Sequence, residues 1–569
     1  MSQGRPLSPP APNRLDQWDL NAVTGWPAAG CATRRTMSPL VAQDGFEPTG
    51  YERAALPISQ PRRIILASNR GPLEYHSGED GSLIASSGNG GVATALTSLV
   101  PLGDFVWVAS AMTDGDRKMA RRGRSPVEVG DGHCYQRFVA VPRSTYHLYY
   151  GVFSNPVLWF LQHSIWETLN RPRLEQQMRR AWEQGYLPAN RAFARAIVEE
   201  LGNDPSSAYV MVQDYHLYMC PAYVREMAPD VLLQHFIHIP WPAAGVWEQI
   251  PREFVQGICR SLLCTDLIGF QTEASARNFL LTCRRFLPDV TVDAADQTVD
   301  SRGRRTEVRV YPVSVDVERL LHQTRSLDFA RHRKRVSSRT CKYTIVKVDR
   351  VDPSKNVIAG LDAFDLLLRR HPELLGDVKL LAFLVPSRGG VPEFRRHARR
   401  VSQRIGQINR LYGRSGWEPI EVFGENNYVQ ALAGMSLYDV LLVNSLADGM
   451  NLVSKEGPIV NEREGVLILS TEVGAYAELR EDALSVAPTD IESTADALWR
   501  GLTMPEDEKR RRARHLRQVI ARQDLRVWLR RQSEDLGRLA EERDMRLSGK
   551  APQVKVPGRS FSAVRAMAA

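Results

Sequence analysis

No Cys-x-x-Cys spacing occurs in this 569-residue chain, and its seven cysteines (Cys31, Cys134, Cys220, Cys259, Cys264, Cys283 and Cys341) are odd in number. Such usage excludes a disulfide framework and a cysteine-based zinc site, and it points to free thiols in a reducing compartment. No apolar run approaches the ~18 residues of a membrane span. The opening stretch, MSQGRPLSPPAPNRLDQWDL, lacks the apolar core of a signal peptide. A cytoplasmic protein without membrane contact is expected. No spaced Asp/His cluster suggests a metal, and none is expected, nor any cofactor. Runs of Lys and Arg interleaved with aromatics are missing too, so nucleic acid is not the expected partner.

What is present is an ordinary soluble composition, 43% hydrophobic and 24% charged, with 74 basic against 65 acidic residues and a net charge of +9. Arginine dominates the excess, which favours small ligands carrying phosphate. The basic run EKRRRARHLRQ at 508–518 lies in a helical pattern and reads as a solvated face.

Residues 1–61 are rich in Pro, Ala and Gly without a sustained period, and a disordered extension is expected there. Short apolar runs then alternate with amphipathic stretches: RRIILASNRGP (62–72), FVWVAS (105–110), AYVMVQD (208–214), LLQHFIH (232–238) and DLIGF (266–270). The pattern restarts with KYTIVKVDR (342–350), VKLLAFLVPS (378–387), YDVLLVN (438–444) and GVLILST (465–471). This alternation predicts α/β architecture, with two doubly wound domains at 62–325 and 326–503. A single long charged helix is expected over 504–546, followed by a loose basic tail at 547–569. In such sheets ligands bind beyond the carboxyl ends of the strands.

Several residues at strand ends therefore stand out. Arg70 follows the first strand in SNRGP, and the loop SSGNGG holds Gly88, Gly90 and Gly91, which suit close approach to a phosphate but also a plain turn. Asp214 ends VQD, where it reads equally as a helix cap, and His238 ends HFIH before a Pro-stiffened loop. Arg350 and Lys355 in VDRVDPSKN can grip a diphosphate, or can pair with Asp349 and Asp352. Arg388 in VPSRGG has the same two readings. The aromatic block TYHLYYGVFSNPVLWFLQHS (145–164), with Tyr149, Tyr150, Trp159 and Phe160, suits either a sugar face or a core. In DGMNLVSKE (448–456) a helix is expected to begin at Gly449–Asn451, with Asp448 either its cap or a ligand contact and Glu456 two turns on.

Taken in order, SNR, YYGVFSNPVLW, DYHL, HIPWP, DLIGFQTE, VDRVDPSKN, VPSR and DGMNLVSKE resemble the trehalose-6-phosphate synthase family of retaining glycosyltransferases, over about residues 62–505. The resemblance implies a GT-B fold, two Rossmann-like domains facing a cleft, with the final helix crossing back to the first. It implies a nucleoside-diphosphate glucose (UDP-, ADP- or GDP-glucose) and a sugar phosphate as substrates, and α,α-trehalose 6-phosphate as product. The donor would be held by Gly90, Gly91, His238, Arg350, Lys355, Asp448, Met450, Asn451, Leu452 and Glu456, and glucose 6-phosphate by Arg70, Tyr150, Trp159, Asp214 and Arg388. Asp214, His238, Arg350, Lys355 and Asp448 form the catalytic set so implied. No pair of carboxylates set for double displacement is found, in keeping with a leaving phosphate that accepts the proton itself. The tryptophan that the family carries near the end of the second strand has Trp107 as its nearest candidate, and IPWPAAGVW replaces a common Thr-Pro-Phe-Pro. The segment EGPIVNEREGVLILSTEVGAYAEL resembles a branch that includes validoxylamine phosphate synthases. A glucosylglycerol-phosphate or validoxylamine-phosphate synthase remains the alternative, and a non-catalytic sugar-phosphate sensor the alternative of another class. Self-association into a homo-oligomer is left open.

Overall fold

Runs such as FVWVAS, AYVMVQ and LLQHFI bury every residue, as strands covered on both faces must. The computed structural model describes residues 63–78, 82–87, 96, 105–129, 132–168, 171–202 and 208–548. The expectations for 1–61, Gly90, Gly91 and 549–569 lie outside these residues.

Among them, the chain divides into two compact units. The first domain holds residues 63–164, 172–313 and 526–548; the second holds 314–525 with the short stretch 165–171. The change falls at 313/314, where sequence patterning placed it near 325/326. The reason is local: the helix Val317–Thr324, capped by the Asp316 carboxylate on the Arg319 N–H, already belongs to the second domain.

The first domain is built on β1 (Arg63–Ser68), β2 (Leu73–Ser77), β3 (Leu83–Ser87), β4 (Phe105–Ser110), β5 (Ser125–Val129), β6 (Gly132–Val139), β7 (Ala208–Gln213), β8 (Leu232–Ile237), β9 (Leu267–Phe270), β10 (Val290–Asp293), β11 (Thr298–Ser301) and β12 (Arg304–Val310). Ten of these form one sheet in the order β10-β11-β12-β9-β8-β7-β1-β4-β6-β5, and β2 pairs with β3. From β12 to β6 every pairing is parallel; only the edges, β10-β11 and β5, run antiparallel. One covering layer is the helix Leu187–Leu201, whose Phe193, Ala194 and Ile197 pack with Ile65, Val108 and Val210.

The second domain has β13 (Tyr343–Arg350), β14 (Val378–Val385), β15 (Ile420–Phe423), β16 (Val440–Val443), β17 (Val466–Ser470) and β18 (Leu484–Val486), all parallel, in the order β15-β14-β13-β16-β17-β18. Counted by appearance this is 3-2-1-4-5-6, the order of a dinucleotide-binding Rossmann sheet. Its core joins Ile345, Leu380 and Leu442 of the sheet to Leu361, Phe364 and Leu498 of the helices Val357–Arg370 and Ile491–Thr503.

The expected single helix at 504–546 is two helices, Glu506–Arg522 and Leu525–Leu547, separated at Gln523–Asp524. The second returns to the first domain. Trp528 is 2% exposed, donates from Nε1 to the Tyr311 carbonyl (3.0 Å) and sets its ring edge against Phe236. Gln532 bonds Gln234, the Tyr311 hydroxyl bonds Asp535, and Arg538 forks onto Glu307 at 2.6 and 3.0 Å. No helix among the described residues is long and apolar enough to cross a membrane.

Trp528→Ala should therefore destabilise the first domain by about 3–5 kcal/mol, as for other large-to-small changes at buried aromatic positions. Urea unfolding followed by a first-domain probe measures this, and a loss below about 1 kcal/mol would mean that the returning helix contributes little to that domain.

Candidate functional site

Each sheet has one place where the connections leaving neighbouring strands run to opposite sides. In the first domain it lies between β1, which leads to β4, and β7, which leads to β8; in the second it lies between β13 and β16. Open α/β sheets bind ligands at such switch points, because the diverging connections leave the strand ends uncovered. Arg70 follows β1 and Asp214 follows β7; Arg350 is the last residue of β13, Lys355 lies just beyond it, and Asp448 follows β16.

In the second domain, the charges at the switch point are interlocked. Lys355 Nζ pairs with the Asp448 carboxylate, which also accepts from Asn451 Nδ2 at 3.0 Å. Arg350 and Arg388 both pair with one carboxylate, Asp352, at 2.7 and 3.2 Å. Burial would raise the Asp352 pKa, but the two guanidiniums outweigh it and hold the group below the usual carboxylate range. Half of the Arg350 side chain is exposed, whereas Arg388 is 10% exposed and lies over the Phe394 ring. Of the two partners the sequence offered, Asp352 takes Arg350, while Asp349 pairs with Lys347 and not with Lys355.

The helix expected at Gly449–Asn451 begins at Val453 and ends at Val460. Its cap is not Asp448. Asn451, at φ 67°, accepts the Ser454 N–H on its Oδ1 (3.2 Å), which leaves the Asp448 carboxylate for Lys355. Met450 and Asn451 are buried and Leu452 is partly so. Backbone closeness holds the loop: a Cβ on Gly474 would lie 1.8 Å from the Gly449 carbonyl oxygen, so only glycine fits. Glu456 lies within the helix, nearly buried, and accepts the Tyr428 hydroxyl at 2.8 Å. Burial pushes its carboxyl up to about 7, against the opposing pull of that hydrogen bond.

In the first domain, Asp214 has φ 69° and ψ 173°, a backbone state that costs ~1–3 kcal/mol for a residue other than glycine. The capping alternative fails here as well, since its side chain accepts from the His238 N–H (3.1 Å) and caps no helix. The His238 ring is buried, which pushes its pKa down to about 3 and keeps it neutral. Its Nε2 meets Gln213 Oε1 at 2.9 Å and its Nδ1 meets Gln271 Nε2 at 3.2 Å. The Gln271 carbonyl oxygen accepts from the Val313 N–H, so Gln271 donates to Nδ1 and the proton sits on Nε2. Both ring nitrogens are thus engaged within the domain. Arg70 pairs with Glu74 at 2.7 Å and hydrogen-bonds Tyr150.

The aromatic block is a π-helix, His147–Trp159, whose wider turn accommodates Pro156. Tyr150 is stacked between Tyr146 and His216, with ring centroids 5.5 and 5.8 Å away. Trp159 is 2% exposed and packs on His163 and Phe160, so it presents little surface to a ligand. Trp107 is wholly buried inside β4, donating to Ser68 Oγ at 2.8 Å, and does not reach the strand end. Among the described residues, eight non-glycine positions have φ in the left-handed region; Asp214, Asn356, Arg388 and Asn451 are half of them. Three of these are candidate residues, and Asn356 directly follows a fourth, Lys355.

Sequence patterning passed over other anchors of these groups: Tyr428, Glu74, Lys347 and Asn444. Lys347 carried a signal, being a charged residue in an otherwise apolar strand, but a charge there reads first as a surface residue. Among the described residues no cluster of three or more His, Cys, Asp or Glu is placed to hold a metal.

The profile of the family described as Glycosyltransferase family 20 matches residues 62–538. A UDP-forming alpha,alpha-trehalose-phosphate synthase of Pichia angusta is 31% identical over 486 residues, covering 82% of this chain and 97% of that protein. An E. coli structure bound with UDP-2-fluoro glucose aligns at a TM-score of 0.71 and 26% identity, covering 84% of this chain and 99% of that one. A Burkholderia xenovorans UDP-forming alpha,alpha-trehalose-phosphate synthase in complex with glucose-6-phosphate aligns with the same TM-score, identity and coverage. The chain, two Rossmann-like domains of the GT-B class, belongs to glycosyltransferase family 20.

Proposed function

We propose that this protein transfers glucose from UDP-glucose to glucose 6-phosphate with retention of configuration, forming α,α-trehalose 6-phosphate. The observation that carries the reading is the meeting of Arg350, Lys355 and Asp448 at the β13/β16 switch point, in a chain matched by the family over 62–538. The names of the relatives, UDP-forming, favour uridine over other bases.

The chemistry follows from the pairs. A diphosphate entering beside β13 offers Lys355 and Arg350 a second anion. Asp448, relieved of its lysine, can then accept from hydroxyls of the transferred glucose. As the bond from C1 to the diphosphate oxygen breaks, negative charge grows where the two cations stand, and they stabilise it. The acceptor hydroxyl forms the new C1–O bond on the same face and passes its proton to the departing phosphate. In the first domain Arg70, which hydrogen-bonds Tyr150, is the cation assigned to the acceptor phosphate, and Asp214 is also assigned to the acceptor. Glu456 is assigned to the ribose diol.

Purified protein supplied with a panel of nucleoside-diphosphate sugars and acceptors should form trehalose 6-phosphate fastest from UDP-glucose and glucose 6-phosphate, read by mass spectrometry. Preference for glycerol 3-phosphate or a pseudo-sugar phosphate would overturn the acceptor assignment. Lys355→Met should lower kcat about a hundredfold, the scale of one lost preorganised contact to developing charge. Steady-state rates near wild type would remove the diphosphate role.

Glu456 gives a pH test. If its carboxylate accepts from a ribose diol, donor binding requires the ionised form, so donor affinity should rise about tenfold from pH 6 to pH 8 around a carboxyl that titrates at about 7. Glu456→Gln should bind more weakly and without that slope. Without donor the sign reverses. The folded carboxyl titrates above its unfolded value of about 4.3, so its contribution to stability is complete below that pH and is lost as pH rises through about 7. Calorimetric titration of UDP-glucose at several pH values measures the first effect, and thermal unfolding the second.

A further inference from the structure

Lys347 lies within β13, between the apolar start of the strand and the loop that carries Lys355, and its side chain is 1% exposed. An ammonium there is costly unless every proton is matched. All three are. Nζ bonds Asn444 Oδ1 at 2.6 Å, Asp349 Oδ2 at 2.9 Å and the carbonyl oxygen of Lys355 at 3.3 Å. Asn444, just past β16, closes a reciprocal clasp: its Nδ2 donates to the Asn356 carbonyl (3.2 Å), and Asn356 Nδ2 donates to the Asn444 carbonyl (3.1 Å) and to that of Pro488 (2.7 Å). Asn356 itself is held at φ 54°. The loop bearing Lys355 is therefore tied to the strand below it by Lys347 and to the neighbouring strand by Asn444.

The charges have an order too. Asp349 is buried and feels Lys347, Lys355 and Asp448. Lys347, Asp349, Lys355 and Asp448 thus form an alternating quartet, two cations and two anions, of which only the outer pair belongs to the site. Remove Lys347 and Asp349 keeps one cation within reach, Lys355. The outer lysine would be drawn inward, away from any diphosphate.

We propose that Lys347, with Asn444, is a positioning residue for the diphosphate site: it fixes the Lys355 backbone and occupies Asp349, so that the Lys355 ammonium is left to Asp448 and to the ligand. The inference rests on the glucosyl-transfer reading above. A lysine that served only as internal packing would affect every ligand of the domain equally; this one should affect the phosphate that Lys355 meets.

The test compares UDP with UMP, which differ by one phosphate. Calorimetry on the full chain should show wild type binding UDP more tightly than UMP. In Lys347→Met the UDP/UMP affinity ratio should fall about tenfold and kcat/KM for UDP-glucose by a similar factor, on the scale of a disturbed charge pair, with UMP affinity within about twofold. Lys347→Met with Asp349→Asn removes the competing anion and should recover most of the ratio. If the single variant does not fold, this charge-balanced double variant and Asn444→Ala, which keeps both charges and breaks the clasp, carry the measurement. The double variant should keep a ratio near wild type, and Asn444→Ala should lower it about threefold. An unchanged ratio in Lys347→Met, or equal loss of UMP and UDP binding, overturns the proposal. So does a double variant as impaired as the single one. A wild type that forms no trehalose 6-phosphate and binds UDP no better than UMP would instead overturn the underlying assignment.

Discussion

A buried charge deprived of its counterion costs several kcal/mol, and the second domain meets that constraint by setting each of its site cations against a carboxylate. Arg350 and Arg388 share Asp352, Lys355 takes Asp448, and Lys347 takes Asp349. These pairs place the side chains before any ligand arrives. They also lower the electrostatic cost of an empty site, since no full charge waits unmatched. A ligand that brings two anionic phosphates and several hydroxyl donors can exchange with the pairs one for one. On the proposed reading, the phosphates would take up the cations and the hydroxyls would satisfy the released carboxylate. The substrate would then complete a set of interactions that the protein otherwise makes with itself.

The sheets decide where this can happen. Both switch points collect candidate residues for the same geometric reason: two parallel strands side by side send their chains in opposite directions and leave a gap at their carboxyl ends. The residues there carry backbone strain that packing must hold. Asp214 is kept at φ 69° by its N–H on the Phe236 carbonyl, by its own carbonyl taking the Leu217 N–H, and by its carboxylate taking the His238 N–H. Asn356 and Asn451 are held by the hydrogen bonds of their own side chains.

Much of this was legible from the sequence because the informative residues stand at strand ends, where an apolar run gives way to a charged or aromatic motif. Arg350, Lys355, Asp448 and Asp214 were singled out that way, and the structure sets them at or just beyond strand ends beside the two switch points. The supporting residues were not, because their letters mislead. In KYTIVKVDR, Lys347 reads as a polar residue facing water, whereas it is buried and saturated with acceptors. Trp107 stood as the nearest candidate for the strand-end tryptophan of the family, yet β-register places it in the interior. Asp448 and Asp214 both allowed capping, and only the hydrogen bonds exclude it. The break at Gln523–Asp524 interrupts a charged helical pattern without a proline or glycine to mark it.

That break bears on how the chain is made. The first domain is discontinuous: its closing helix follows the whole second domain in sequence, yet buries Trp528 against Tyr311 and Phe236. During synthesis the sheet of the first domain emerges complete while the surface that this helix covers stays bare. About 210 residues, 314–525, must be added first. At roughly 5–20 residues per second that interval lasts on the order of 10–40 seconds. For that time Phe236 and Tyr311 lack the cover that Trp528 gives them in the finished fold. The second domain, contiguous over 314–525 apart from the short stretch 165–171 that precedes it, can fold as it emerges, before the first is finished.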